Sequence, residues 1–271
     1  MKKQYNGEMS VINTEEKAYL LGILYADGCI TDKGNYQKHI RLSLADKELV
    51  DRLYELFPFF NYESWDFSKY NKNSVKQFSL RKTCKELYND LKSHGLQERK
   101  STENRNNIKF PDIPKELWHH FIRGFFDGDG SVYKQKSRPN NIRAEICSSS
   151  KTFMTELTKI FVHSGIKFWK LREKQPTGRG KLVMYILEWT KWQDVLELGK
   201  FIYKNSTIHL ERKKNAFDLF KPTIKIQENP DCPLCGSVGC SLKRAKCQTA
   251  RGIVRRYLCK NCKKNYTLQP I

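Results

Sequence analysis

Leu20-Leu21-Gly22-Ile23-Leu24-Tyr25-Ala26-Asp27-Gly28 and Ile122-Arg123-Gly124-Phe125-Phe126-Asp127-Gly128-Asp129-Gly130 are two in-register copies of one nine-residue pattern. Each runs small and apolar, then ends in Asp-Gly. Tyr19 through Ala26 is apolar almost all round, as expected of a helix sandwiched between a sheet and a partner helix. Glycine inside such a helix lets a second backbone come close. The acid falls at the C-terminal end, where the helix dipole disfavours negative charge. Two such ends side by side would gather Asp27 and Asp129 at one point, and the carboxylates would repel unless divalent cations sat between them. The duplication thus predicts a helix pair with a metal site at its acidic end. Two unrelated core helices, each stopped by an Asp-Gly turn, would leave the repetition unexplained.

Composition narrows the partner. Over 271 residues, 50 Lys and Arg stand against 29 Asp and Glu, a formal charge of +21. That exceeds what solubility requires and has the sign that attracts phosphate. The length suffices for two or three domains. No apolar run approaches the roughly 20 residues of a spanning helix, so no membrane partner is expected. The basic start Met1-Lys2-Lys3-Gln4-Tyr5 is not followed by a signal-type apolar segment, so the expected location is intracellular, in cytoplasm or nucleoid. The nine cysteines are then expected in a reducing compartment.

Outward from the first pattern, Lys38 to Ala45 alternates, with Ile40, Leu42 and Leu44 to one side and His39, Arg41 and Ser43 to the other. This is a strand of an antiparallel sheet with one buried and one open face. Asp46 is the expected N-cap of a helix that Pro58 stops. Phe59 to Arg81 reads as a second hairpin, Phe78 and Leu80 inward, Gln77, Ser79 and Arg81 outward, and a helix follows from Thr83 to His94. The polar stretch 98–107 reads as a linker. The second half repeats the order: a helix Glu116 to Asp127, a hairpin through Asn140-Asn141, inward Ile142, Ala144 and Ile146 beside outward Arg143 and Glu145, a helix capped by serines 148–150, a strand Ile166 to Arg172 that includes Lys170, its partner Lys181 to Trp189, and two helices ending near Phe220. Glu98-Arg99-Lys100 is echoed by Glu211-Arg212-Lys213, which a solvated helix end would explain equally well.

The two nine-residue copies resemble the motif of the LAGLIDADG homing endonucleases, in the form where one chain carries two copies. Gly22 and Gly124 match the helix-packing glycine and Asp27 and Asp129 the metal-binding acid; Tyr25 departs from a consensus Asp, and Arg123 and Gly128 from alanine. The resemblance covers residues 14 to about 220. It implies an α+β fold of two pseudo-twofold αββαββα repeats that form a DNA-binding β-saddle, and a monomer acting on double-stranded DNA as a nuclease of a mobile genetic element. It further implies that Asp27 and Asp129 bind Mg²⁺ or another divalent cation, and that hydrolysis leaves 5′-phosphate and 3′-hydroxyl ends. Basic residues near each acid would polarise the scissile phosphate or its water, with Lys100 and Lys213 the candidates. Outward His39, Arg41, Gln77, Ser79, Arg81, Arg143 and Lys170 would read base edges. A non-cleaving DNA-binding regulator on the same scaffold is the alternative, since a fold does not fix an activity.

Near the C-terminus, Cys232-Pro233-Leu234-Cys235 and Cys259-Lys260-Asn261-Cys262 are two C-x-x-C knuckles at a spacing suited to tetrahedral zinc. A segment this short lacks the apolar content to fold unaided, so Zn²⁺ would supply much of its stability. The pattern looks like the zinc ribbons at the ends of some transposases. Cys240 and Cys247 belong to no such pair and are read as ordinary thiols, as are Cys29, Cys84 and Cys147. Arg244, Arg255 and Arg256 are expected to give the ribbon a second DNA contact. The domain scheme is 1–107 for the first repeat and linker, 108–227 for the second repeat, and 228–271 for the ribbon.

Overall fold

Thr14 begins the first motif helix. Its hydroxyl accepts from the Lys17 N–H at 3.4 Å, and Glu15 and Glu16 in the first turn complement the positive end of the dipole. The helix, α1 (Glu15–Asp27), buries Ala18 through Ala26 without interruption. Its counterpart enters through a single 3-10 turn and runs as α4 (Trp118–Asp129). The sequence expectation ended this second helix at Asp127. Instead, Gly130 donates its N–H to Phe126 O and Gly28 donates to Leu24 O, so Asp27 and Asp129 are both the last helical residue. The computed structural model describes residues 3–34, 37–66, 76–100, 104, 107–135, 138–176, 182–219, 231–237, 241–249 and 252–268.

The helices meet backbone to backbone. A Cβ on Gly22 would lie 2.0 Å from Phe121 O, and one on Gly124 would lie 2.2 Å from Tyr19 O, distances no side-chain carbon tolerates. Further along, a Cβ on Gly128 would lie 2.3 Å from the Ala26 methyl. One alanine and one glycine are what the converging ends can hold, which accounts for Gly128 standing where the motif has alanine.

Each motif helix leads into a four-stranded antiparallel sheet. The first repeat continues as β1 (Gly28–Asp32), β2 (Lys38–Leu44), α2 (Lys47–Leu56), β3 (Asn61–Trp65), β4 (Gln77–Thr83) and α3 (Lys85–Ser93). The second continues after α4 as β5 (Gly130–Gln135), β6 (Arg138–Ser148), α5 (Lys151–His163), β7 (Lys170–Lys174), β8 (Met184–Trp189), α6 (Trp192–Ile202) and α7 (Glu211–Leu219). Strand orders β1-β2-β4-β3 and β5-β6-β8-β7 are the same topology twice. As expected from the alternation, Ile40, Leu42, Leu44, Phe78 and Leu80 are buried in one sheet and Ile142, Ala144 and Ile146 in the other. Ser150 caps α5, accepting from the Phe153 N–H at 3.2 Å. Asn140-Asn141 lies within β6 rather than at the hairpin turn, because β5 pairs as far as Gln135 with Arg138.

A polar cluster ties the repeats at the far end of the helix pair. Arg123, fully buried, donates to Glu15 at 2.6 Å, to Ile208 O at 2.8 Å, to Ile202 O at 3.1 Å and to His120 Nδ1 at 2.8 Å. Glu15 also accepts from the Thr207 N–H at 2.7 Å. Such a pair is costly to break from one side only.

The chain divides into two compact units, Met1–Phe220 and Lys221–Ile271, so both repeats belong to one body. The second unit carries β9 (Ser241–Thr249), β10 (Gly252–Leu258) and β11 (Asn265–Leu268) as a three-stranded antiparallel sheet ordered β11-β10-β9. Tyr257 and Tyr266 stack across it with ring centroids 5.3 Å apart.

Replacing Gly22 or Gly124 with alanine is expected to cost about 1–3 kcal/mol or more, the range for overpacking, because the neighbour that must yield is backbone. Urea unfolding of the two variants measures this; an unchanged midpoint would contradict the backbone contact.

Candidate active site

The helix contact brings Asp27 and Asp129 together. Both carboxyls reach solvent, and neither has a hydrogen-bond or ion-pair partner among the described residues. The neighbouring helix ends strip enough water from Asp129 to push its pKa up to about 6; Lys100 and Lys213 oppose the shift and Asp27 adds to it. Asp27 is raised for the same reason, with the same two lysines opposing. Asp27 acting on Asp129, and the two lysines acting on both acids, make this one electrostatic site.

Lys100 and Lys213 arrive at corresponding places on the two helices. Lys100 Nζ donates to Tyr25 O at 2.7 Å and also to Ala26 O. Lys213 Nζ lies within hydrogen-bond distance of four carbonyls: Phe126 O (2.8 Å), Asp127 O (2.7 Å), Gly128 O (3.0 Å) and Gly130 O (2.6 Å). Burial pulls the Lys213 pKa down to about 8 against the neighbouring Asp127. Both ammonium groups therefore serve carbonyls left open by the helix C-termini. The sequence expectation gave these same two lysines the task of polarising the scissile phosphate or its water.

The residue two places before each acid holds the segment that delivers the lysine. Asp127, buried, accepts from Tyr19 Oη at 2.8 Å, Tyr203 Oη at 2.8 Å and the Leu210 N–H at 2.7 Å. Burial raises its pKa and those three bonds oppose the rise. In the first repeat Tyr25 stands at this position and donates its hydroxyl to His94 O at 2.6 Å. Sequence reading passed over Asp127; its signal was an acid directly after the apolar pair Phe125-Phe126, two places before the motif's own acid. Arg212 was also missed as a link. It makes a two-point ion pair with Asp46 at 2.9 and 3.1 Å, joining α7 to the start of α2. Asp46 takes the N-cap position as expected, but its side chain makes no cap bond.

The sheet faces opposite the helices carry the candidate base readers. His39, Arg41, Gln77 and Arg81 lie on the outer face of the first sheet, where Arg41 pairs across to Arg81. Arg41 donates to Ser43 at 2.8 Å, Arg81 pairs with Glu63 at 2.9 Å, and His39 Nδ1 meets Thr83 Oγ1 at 2.9 Å. Ser79 shares that face but is only 1% exposed, its hydroxyl 2.7 Å from Ser43, so it is not the open side chain expected. In the second sheet Arg143 is half-buried and Lys170 exposed. Glu145 and Glu188 stand opposite one another there, with Arg172 donating to Glu188 at 2.7 Å.

In the C-terminal unit, taken by itself, Cys232, Cys235, Cys259 and Cys262 place their sulfurs within 4.8 Å of one another. Cys232 and Cys262 sulfurs are 3.8 Å apart, and those of Cys235 and Cys259 3.5 Å. A tetrahedron of Zn–S bonds near 2.3 Å has edges of about 3.8 Å. The Ser237 hydroxyl lies 3.1 Å from Cys235 Sγ and 3.0 Å from Cys259 Sγ, and holds both thiols below their ordinary pKa. Cys29, Cys84 and Cys147 are free thiols. The side chains of Arg244, Arg255, Arg256 and Cys247, and residue Cys240, lie outside the described residues.

The raised Asp129 pKa fixes the sign of a pH effect. A carboxyl whose folded pKa exceeds its unfolded value of about 3.9 contributes stability below that pH and loses it as pH rises through the folded value. With Asp129 at about 6, metal-free stability is expected to fall from pH 4 to pH 7 on this account, and Asp129→Asn to flatten the fall. Thermal melts in EDTA across that range test it; identical slopes for wild type and variant would contradict it.

A family model described as a LAGLIDADG-like domain matches residues 14–94 and 119–193, more than half of the chain. Two proteins of Methanocaldococcus jannaschii are similar. One, named probable translation initiation factor IF-2, is 29% identical over 169 residues, covering 60% of this chain and 13% of that protein. The other, uncharacterized protein MJ0398, is 26% identical over 179 residues, covering 63% and 58%. The chain thus spans less than two thirds of either relative. Among solved structures, the homing endonuclease I-WcaI bound to its DNA recognition sequence aligns with a TM-score of 0.48 at 16% identity, over 80% of this chain and 89% of that one. I-DmoI in complex with DNA and Ca aligns at 0.47 and 17%, over 78% and 97%. With the family match falling on both repeats and taking in both Asp-Gly helix ends, the chain belongs to the LAGLIDADG family, in its single-chain, two-repeat form.

Proposed function

We propose that this protein is a site-specific DNA endonuclease of the homing type, making a divalent-metal-dependent double-strand cut in a long recognition site. The observation that carries the reading is the convergence of Asp27 and Asp129, both partnerless among the described residues, at a glycine-mediated helix contact. Two carboxylates brought together at converging helix ends are a donor set for a hard ion, and oxygen ligands suit Mg²⁺. When bound, the ion would activate water toward phosphorus and stabilise the departing 3′ oxygen. The chain's own part is positional. The paired helix ends hold the acids, the two sheets present polar faces to the grooves, and a net charge of +21 draws in the backbone. His39, Arg41, Gln77, Arg81, Arg143 and Lys170 are proposed to contact DNA, with a monomer acting on double-stranded DNA.

For the C-terminal unit we propose one structural Zn²⁺ held by Cys232, Cys235, Cys259 and Cys262. The near-tetrahedral sulfur separations and the two hydroxyl contacts from Ser237 support it. Residues 228–271 would then act as a basic module adding phosphate contacts.

Asp27→Asn and Asp129→Asn are each expected to abolish double-strand cleavage with DNA binding largely intact, since Asn keeps the shape and loses the charge that holds the cation. A cleavage selection on randomised DNA with Mg²⁺, read beside a binding assay, tests this. Full cutting by either variant would remove these acids from the chemistry, and tight binding without any cutting by wild type would favour a regulator.

Replacing any one of the four cysteines with serine is expected to release the zinc and unfold the C-terminal unit alone. Metal analysis with protein NMR checks both statements. Wild-type protein without zinc, or a serine variant retaining it, would contradict the site.

A further inference from the structure

Register maps the two sheets onto each other residue by residue. Gly28 pairs with Leu42 in the first and Gly130 with Ile146 in the second, so Arg41 and Glu145 hold the same position. One strand further, Leu42 faces Leu80 and Ile146 faces Leu187, which puts Glu188 where the first sheet has Arg81. At the edge strands Tyr62 faces Leu80 and Leu171 faces Leu187, which puts Arg172 where the first sheet has Glu63. None of the six is buried, and they alternate with the inward residues of their strands. Charge is therefore reversed at three equivalent outer positions: Arg41, Arg81 and Glu63 in one sheet, Glu145, Glu188 and Arg172 in the other.

The bonding repeats with its polarity exchanged. Arg81 donates to Glu63 at 2.9 Å between β4 and β3, and Arg172 donates to Glu188 at 2.7 Å between β7 and β8. In each sheet this ion pair fixes one member of a like-charged couple, because Arg41 stands directly opposite Arg81 and Glu145 directly opposite Glu188. Like charges directly across a strand pair are destabilising. Folding gives no reason to set two such couples at symmetric places, one basic and one acidic. Nor does attraction to phosphate, which two carboxylates oppose in a chain of net charge +21. Base edges do give a reason. In the major groove guanine offers its O6 and N7 acceptors, which a guanidinium matches, while cytosine offers the N4 amino donor, which a carboxylate matches. Adenine also has an amino group, but its N7 acceptor lies beside it and disfavours a carboxylate.

Resting on the reading above for the DNA-facing role of the sheets, we infer that Glu145 and Glu188 are specificity-determining residues that require cytosine in one half-site. At the symmetry-related position of the other half-site, Arg41 and Arg81 require guanine. Arg172 and Glu63 orient Glu188 and Arg81 respectively. The pseudo-twofold places the two bases on opposite strands, so a single strand of the target carries guanine at both positions. A palindrome would carry guanine at one and cytosine at the other.

Selecting bound duplexes from a randomised pool with the full chain, in buffer without added Mg²⁺, tests this by binding alone. Wild type is expected to enrich sites with guanine at two positions of one strand equidistant from the centre, each favoured roughly tenfold. The triple variant Glu145→Arg, Arg172→Glu, Glu188→Arg sets the first sheet's charges into the second. It is expected to change one of those guanines to cytosine, which makes the pair palindromic. Should that variant not fold, Glu145→Gln with Glu188→Gln keeps the side-chain shape and is expected to turn the base read in that half from cytosine to adenine. A wild-type site already palindromic at this pair, or variants that select the wild-type bases, would overturn the assignment. So would a chain that enriches no sequence. Cleavage of the selected duplex with Mg²⁺ is read separately: binding without cutting would sink the nuclease reading, and the selection would still decide the bases.

Discussion

The backbone contact between the two motif helices is the constraint from which the rest of the first unit follows. With Cβ positions only 2.0 and 2.2 Å from the facing carbonyl oxygens, Gly22 and Gly124 admit no other residue at this separation. That separation fixes where the C-termini lie, and Ala26 against Gly128 keeps them converging up to the last turn. Each sheet strand then leaves its helix directly through Gly28 or Gly130, so the two sheets inherit the pseudo-symmetry of the helix pair. The site is placed by the same contact that builds the core.

Convergence has an electrostatic consequence. Two negative helix ends and two carboxylates lie together, an arrangement unfavourable in itself. The protein offsets it with cations of its own, which both acids sense without forming an ion pair with either. Lys100 and Lys213 neutralise the carbonyl ends and leave Asp27 and Asp129 without ion-pair partners. The far end of the pair has the opposite need, met by Glu15 with buried Arg123, a bond that also crosses between repeats. The repeats are not equal. Buried Asp127 gives Lys213 a nearby negative charge, whereas Tyr25 supplies only a hydroxyl on the other side.

Much of this was legible in the sequence because it is written in short-range patterns. Doubled glycine and doubled Asp-Gly declared the helix pair, and alternation at Ile40, Leu42 and Leu44 declared a sheet with one open face. What was not legible depends on atoms far apart in the chain. Ser79 sits on the face its alternation assigned, yet it is covered because Ser43 crosses the strand boundary to it. The echo of Glu98-Arg99-Lys100 in Glu211-Arg212-Lys213 could have meant a solvated helix end. In the fold, each lysine caps the motif helix of its own repeat, Arg212 crosses to Asp46, and Glu98 and Glu211 serve Tyr88 and His209. The end of α4 was placed two residues early because Asp127-Gly128 reads locally as a stop signal, while the helix is carried on by its neighbour and by Lys213.

The central claim is that the helix contact makes Asp27 and Asp129 one cation site. Titrating the metal-free protein with Mn²⁺ and following backbone amide NMR signals tests it most directly, because the paramagnetic ion broadens only what lies near it. The account predicts that Gly28 and Gly130 broaden first and together, and that the Asp27→Asn, Asp129→Asn double variant loses the effect at both. Broadening that begins elsewhere, or that survives the double substitution, would contradict it.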